Sequence, residues 1–140
     1  MLYDNGHGHI DLYNQQRAQQ QFLPASTFKI MNSLIGLETG VITDTNMVIK
    51  RNSVKRSNPG WNHDLTMAQA FRLSAVPYYQ EVARRIGRTV MQFWIDSVKY
   101  GNMQMSDRID SFWLDNSLKI SPDEQLGFVI RLYFNKLPFH

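Results

Sequence analysis

Cysteine is absent from the 140 residues, which excludes disulfide-stapled scaffolds and thiolate metal sites such as zinc ribbons. No run of about 18 apolar residues occurs, so no stable membrane insertion is expected. The opening MLYDNGHGH has neither the basic nor the apolar region of a secretory signal. Glycine-rich phosphate loops, internal repeats and low-complexity tracts are also missing. Charge of one sign is scarce: 15 Lys and Arg stand against 12 Asp and Glu, and the net charge is +3. The cluster Lys50, Arg51, Lys55 and Arg56 therefore reads as a solvated loop, and no nucleic-acid partner is expected.

What remains is a globular chain with 43% hydrophobic residues, enough for a real core in one domain spanning residues 1–140. Leu2-Tyr3-Asp4, the Asn5-Gly6 turn signal and Ile10-Asp11-Leu12-Tyr13 predict a hairpin. After Pro24, the residues Phe28, Ile30, Met31, Leu34, Ile35 and Leu37 are apolar on nearly every side, the mark of a buried helix that Gly40 can stop. Residues 50–64 are polar and read as a loop between helices, after which Asp64 can cap a helix through Leu73. Further helices are expected from Pro77 to Ile86, from Thr89 to Lys99, and from Pro122 to about Phe134. The last has a capping box in Ser121 and Glu124. Residues 102–120 lack helical periodicity and read as a long ordered loop of the kind that often carries function.

Within PASTFKI, Ser26 and Lys29 stand three residues apart, which on a helix is one turn on one face. Such a pair can approach hydrogen-bonding distance. Pro24 places Ser26 near a helix N-terminus, where unpaired N–H groups favour negative charge on an attacked carbonyl. A lysine among Phe28, Ile30 and other apolar groups loses its proton more readily, because desolvation disfavours ammonium. The same residues also fit an ordinary helix cap, and spacing alone leaves both readings open. Ser74 likewise fits a cap before the Pro77 helix, Trp113 a core aromatic and Gly101 a helix stop. His7-Gly8-His9 has two imidazoles but no evident third ligand, so it reads as a polar hairpin turn and no metal is expected.

The stretch PASTFKIMNSLIGLETGVI resembles the active-site helix of the class D serine β-lactamases, the oxacillinases. Three later stretches resemble the same family in the same order: Ser74-Ala75-Val76 its S-x-V motif, Tyr100-Gly101-Asn102 its Y-G-N motif, and Phe112-Trp113-Leu114-Asp115 the loop with its active-site tryptophan. YNQQRA before the serine and KLPF near the end extend the similarity almost end to end. The resemblance implies an α+β, penicillin-binding transpeptidase-like fold, here mostly its helical subdomain with the active-site helix and a short N-terminal hairpin.

It also implies β-lactam antibiotics as partners and a serine acyl-enzyme as intermediate. Ser26 is then the nucleophile, and Lys29, carboxylated on Nζ by carbon dioxide, the general base; no other cofactor is implied. Trp113 donates its indole N–H to the carbamate, Ser74 relays a proton to the lactam nitrogen, and Val76, Tyr100 and Asn102 shape the cleft. The parent enzyme is expected in the bacterial periplasm, while oligomeric state stays open. Penicillin-sensing receptor domains, acylated without turnover, resemble this chain too, but they carry S-x-N where Val76 stands. The family's K-T-G motif does not occur, so the chain resembles an internal part of the fold, and an inactive product fits the same residues. The active-site helix is expected to leave apolar surface exposed, with marginal stability or association as the result.

Overall fold

The computed structural model describes all 140 residues, and turn and capping residues set the order of its elements. An antiparallel hairpin comes first, β1 (Leu2–Asp4) with β2 (His9–Asp11), in a register that sets Tyr3 opposite Ile10 and Asp4 opposite His9. A short helix, α1 (Gln15–Gln19), follows under an Asn14 cap. Its five residues bury only Ala18, too few to leave a periodic signal in the sequence. A single 3₁₀ turn at Ala25–Thr27 leads directly into α2 (Phe28–Glu38).

The polar segment 50–64 is bracketed by a two-residue ladder, β3 (Val48–Ile49) against β4 (Leu65–Thr66). Helix α3 (Met67–Arg72) is capped by Thr66 rather than Asp64. The Thr66 hydroxyl accepts from the Gln69 N–H, and the Gln69 side chain returns to the Thr66 N–H. Asp64 lies too early for that geometry and accepts instead from the Arg51 N–H at 2.9 Å. Then come α4 (Val76–Ile86), α5 (Arg88–Val98) and α6 (Pro122–Tyr133), the last opened by the expected Ser121–Glu124 box. No helix is long and apolar enough to cross a membrane.

One contiguous core joins these elements, with α2 at its centre and α4 packed along it. Phe28 is its hub. Its ring meets Tyr100 and Phe112 edge-on, at 5.6 and 5.1 Å between centroids, and stacks on Trp113 at 5.5 Å. All four rings are buried. Burying an aromatic side chain of this kind contributes about 2–3 kcal/mol, and each favourable ring pairing about 0.5–1.5 kcal/mol more. The cluster fixes the first turn of α2 to the segment 100–113. On α2 the expected exposure is confined to Leu37 and to the half-buried Ile30 and Leu34, and a larger exposed surface lies elsewhere. Leu2, Val129, Tyr133 and Phe134 are exposed along an apolar groove between the hairpin and α6.

The segment 102–120 is irregular yet pinned at both ends. The Asn102 side chain donates to the Ser117 carbonyl and accepts from the N–H groups of Gln104 and Lys119. Asp115 clasps the middle, accepting from the Ser106 hydroxyl and from both the N–H and hydroxyl of Ser117. Burial raises the Asp115 carboxyl's pKa somewhat, but the hydrogen bonds from Ser106 and Ser117 outweigh it and hold it below the ordinary value.

Gly101 is what allows this segment to close on the core. It has φ +54°, and a Cβ there would stand 2.0 Å from the Lys119 carbonyl oxygen, a backbone atom that cannot swing away. Gly101→Ala is expected to cost about 2–3 kcal/mol, combining left-handed strain with displacement of the 102–120 segment. Chemical denaturation monitored by tryptophan fluorescence measures this; an unchanged midpoint would mean that the segment is not held as described.

Candidate active site

Ser26 lies in the 3₁₀ turn, one residue beyond Ala25, and Lys29 lies on the first turn of α2. Lys29 Nζ is 3.0 Å from Ser26 Oγ. Ser74 Oγ donates to the same oxygen at 2.9 Å. The two residues read from sequence as a spaced pair are thus in contact, and a second hydroxyl, from 48 residues away, completes a chain of three groups. Ser26 is not a cap, since neither the turn nor α2 has a side-chain cap hydrogen bond.

Lys29 is 3% exposed, and burial pushes its pKa below the usual lysine range. No carboxylate faces it. Its other neighbour is the ring of Tyr79, 5.8 Å from Nζ. A cation–π contact favours ammonium by about 0.5–2 kcal/mol, whereas removing a charge from water costs several kcal/mol. Desolvation outweighs the ring contact, and the balance shifts towards the neutral amine. A neutral Nζ offers Ser26 a lone pair, and 3.0 Å suits a hydrogen bond in either direction.

Tyr79 is the residue that sequence reasoning missed. Its carbonyl accepts from Asn32 Nδ2 at 3.1 Å and its hydroxyl pairs with Ser33 Oγ at 2.9 Å. One residue of α4 thus serves Asn32 Nδ2 and Ser33 Oγ, while Asn32 Oδ1 stays buried without a partner. The available signal was a tyrosine pair early in an amphipathic helix, where one hydroxyl must find a buried partner.

Backbone geometry aims the hydroxyls. Ser74 sits just past the end of α3, where the Ala75 N–H reaches the Ala70 carbonyl and the Ser74 N–H reaches that of Phe71. This is a helix-ending motif whose left-handed position usually holds glycine. Here serine occupies it with φ +52°. Ser74 therefore terminates α3 and does not cap α4, whose cap residue is Ala75. Ala25 is also left-handed, with φ +47°, and its N–H is held by the Trp113 carbonyl at 3.1 Å. Thr27 bonds the Pro24 carbonyl through both its N–H and its hydroxyl. The Ser26 N–H between them has no backbone partner and faces no competing acceptor, as a donor to an attacked carbonyl requires.

The remaining candidates take different places. Trp113 is buried and stacked on Phe28, the neighbour of Lys29, and the chain's own hydrogen bonds leave its indole N–H unused. Val76 opens α4, half-buried, two residues from Ser74. Tyr100 is a core residue whose hydroxyl donates to Gln125 Oε1 at 2.8 Å, and burial raises its pKa far above the ordinary phenol value. Asn102 spends its side chain on the 102–120 segment. Neither Tyr100 nor Asn102 hydrogen-bonds to the Ser26 cluster; both hold the scaffold beneath it.

A family model for the penicillin-binding protein transpeptidase domain matches residues 3–136. Among known proteins, β-lactamase OXA-48 of Klebsiella pneumoniae is 48% identical over 124 residues, covering 89% of this chain and 47% of that protein. The probable β-lactamase YbxI of Bacillus subtilis (strain 168) is 43% identical over 139 residues, covering 99% of this chain and 52% of its own length. The crystal structure of a class D β-lactamase, YbXI from Nostoc, superposes with a TM-score of 0.95 at 44% identity, covering 99% of this chain and 59% of that one. The chain spans about half the length of the curated relatives it matches.

Two substitutions test the geometry. Ser74→Gly and Ser74→Ala both remove the hydroxyl, but only glycine relieves the left-handed backbone, so the glycine variant is expected to be more stable by about 1 kcal/mol; equal midpoints in denaturant would overturn the strain. Lys29→Met removes a buried amine whose folded pKa lies below its unfolded value. Protonation then favours the unfolded chain between the two values, and wild-type stability rises with pH across that window. In carbon dioxide-free buffer the stability of the wild type relative to the variant is expected to rise as pH climbs towards the ordinary lysine value of 10.5, and a flat difference would contradict a depressed pKa.

Proposed function

We propose, from the premise that this chain belongs to the penicillin-binding protein transpeptidase domain family and that its homologues are class D β-lactamases, that its Ser26 cluster serves β-lactam hydrolysis through a serine acyl-enzyme. The observation that carries this reading is the unbroken contact Lys29–Ser26–Ser74 around a lysine withdrawn from water. In acylation, the base carried by Lys29 accepts the Ser26 hydroxyl proton while Oγ forms a bond to the lactam carbonyl carbon. The Ser26 N–H donates to the developing oxyanion. As the ring C–N bond breaks, Ser74 passes a proton to the departing nitrogen.

A neutral amine in this setting also suits carboxylation, since carbon dioxide reacts with the unprotonated form. The resulting carbamate bears a negative charge that a buried site must satisfy. The unused indole N–H of Trp113 and the hydroxyl of Ser26 supply donors for it. The carbamate would then act as the base for acylation and for the water that releases the acyl group, so carboxylated Lys29 belongs to this proposal. Val76 favours turnover over the sensor-type reading, because an apolar residue there helps keep the Lys29 amine neutral and open to carbon dioxide. In a resistant bacterium this chemistry would act in the periplasm.

Intact-protein mass spectrometry with benzylpenicillin and bicarbonate checks the proposal. A transient adduct is expected on the wild type and none on Ser26→Ala. Ser74→Ala is expected to acylate roughly 10²–10⁴ times more slowly, the range ascribed to a positioned proton carrier. A wild-type adduct that persists would favour the sensor-type reading, and no adduct at all would overturn acyl transfer by this chain. With ¹³C-bicarbonate, a carbamate resonance present in the wild type and absent from Lys29→Met is the expected signature.

A further inference from the structure

Far from the Ser26 cluster, the N-terminal hairpin gathers three groups that the sequence shows as only two. The β1–β2 register places Asp4 opposite His9, and the turn between them lifts His7 back over the same edge. Gly8 makes this possible with φ +67° and a bond from its N–H to the Asp4 carbonyl. One ligating atom from each of Asp4, His7 and His9 lies within 4.8 Å of the others.

The arrangement is oriented as well as close. Asp4 Oδ1 is occupied, accepting from the N–H groups of Gly6 and His7. Its Oδ2 is turned to the imidazoles, 2.6 Å from His7 Nδ1 and 3.9 Å from His9 Nδ1. Donor atoms around a tetrahedral ion with bonds of about 2.0–2.2 Å stand about 3.4 Å apart, a value these two distances bracket. The far nitrogen of His9, Nε2, faces Asp11 Oδ2 at 3.5 Å. Such an outer carboxylate fixes the tautomer and ring orientation of a metal-bound histidine. His7 and His9 are well exposed, so small rotations can close the set and an ion can enter from solvent.

We propose that Asp4, His7 and His9 form a binding site for a late divalent transition metal, with Zn²⁺ as the representative ion and Asp11 as the outer partner of His9. Two imidazoles with one carboxylate select such ions over magnesium or calcium, which prefer all-oxygen sets. Three protein ligands leave a coordination position for water or an outside donor. The ion would cross-link the turn of a hairpin that has only three residues per strand.

Zn²⁺ titration of the full 140-residue chain in competition with a chromophoric chelator tests this, with imidazole ¹⁵N shifts read in parallel. One equivalent is expected to bind, with both Nδ1 resonances of His7 and His9 shifted. H7Q and H9Q should each weaken binding by more than about tenfold, D11N by about tenfold, and H63Q not at all. Circular dichroism confirms that the variants fold, and the wild-type imidazole shifts decide the matter if one does not. The proposal is overturned if wild type binds no better than the H7Q/H9Q double variant, if either single variant stays within about twofold, or if H63Q weakens binding equally.

Discussion

An amine held out of water is the condition on which the centre of this molecule depends. Lys29 has no counter-ion, and its surroundings shift it towards neutrality by packing rather than by pairing. The aromatic cluster around Phe28 closes one side of the first turn of α2. On another side, Tyr79 engages Asn32 Nδ2 and Ser33 Oγ, which ties these two polar groups of the helix to α4. Base strength at Nζ is therefore a property of the core as a whole, and core substitutions at a distance should alter it.

Around this centre the backbone accepts strain where the chemistry needs direction. Left-handed residues other than glycine are uncommon and cost of order 1–3 kcal/mol when the surroundings impose them. Two flank Ser26, one adjacent to it at Ala25 and one delivering the Ser74 hydroxyl. In each case a fixed hydrogen bond from a neighbouring element holds the conformation. A glycine at position 74 would end α3 more comfortably and leave no second hydroxyl to touch Ser26.

Much of this was legible in the sequence because it was local. The S-x-x-K spacing placed two groups on one turn, and Ser121 with Glu124 announced α6. The true start of α3 was missed because Asp64 is as good a cap by composition as Thr66, and the intervening two-residue strand has no period to read. Ser74 was open to a capping role because the sequence does not reveal a left-handed φ. Tyr100 and Asn102 sit beside the expected motif, yet their side chains face the core and the 102–120 segment, which only three-dimensional packing decides. Tyr79 illustrates the general limit: its importance lies in contacts to residues 46 to 50 positions away.

The tie between the Ala25 N–H and the Trp113 carbonyl has a consequence for how such a chain can drift over generations. Because the Ser26 turn hangs from this segment by backbone atoms, side-chain changes at Trp113 leave the tie itself intact, whereas changes in length between Asn102 and Trp113 shift it. The exposed tip, including Gln104 and Asp107, is thus free to be rewritten letter by letter but not to grow or shrink. Substitution and insertion, which a sequence record treats as neighbouring kinds of change, are for this stretch governed by different physics.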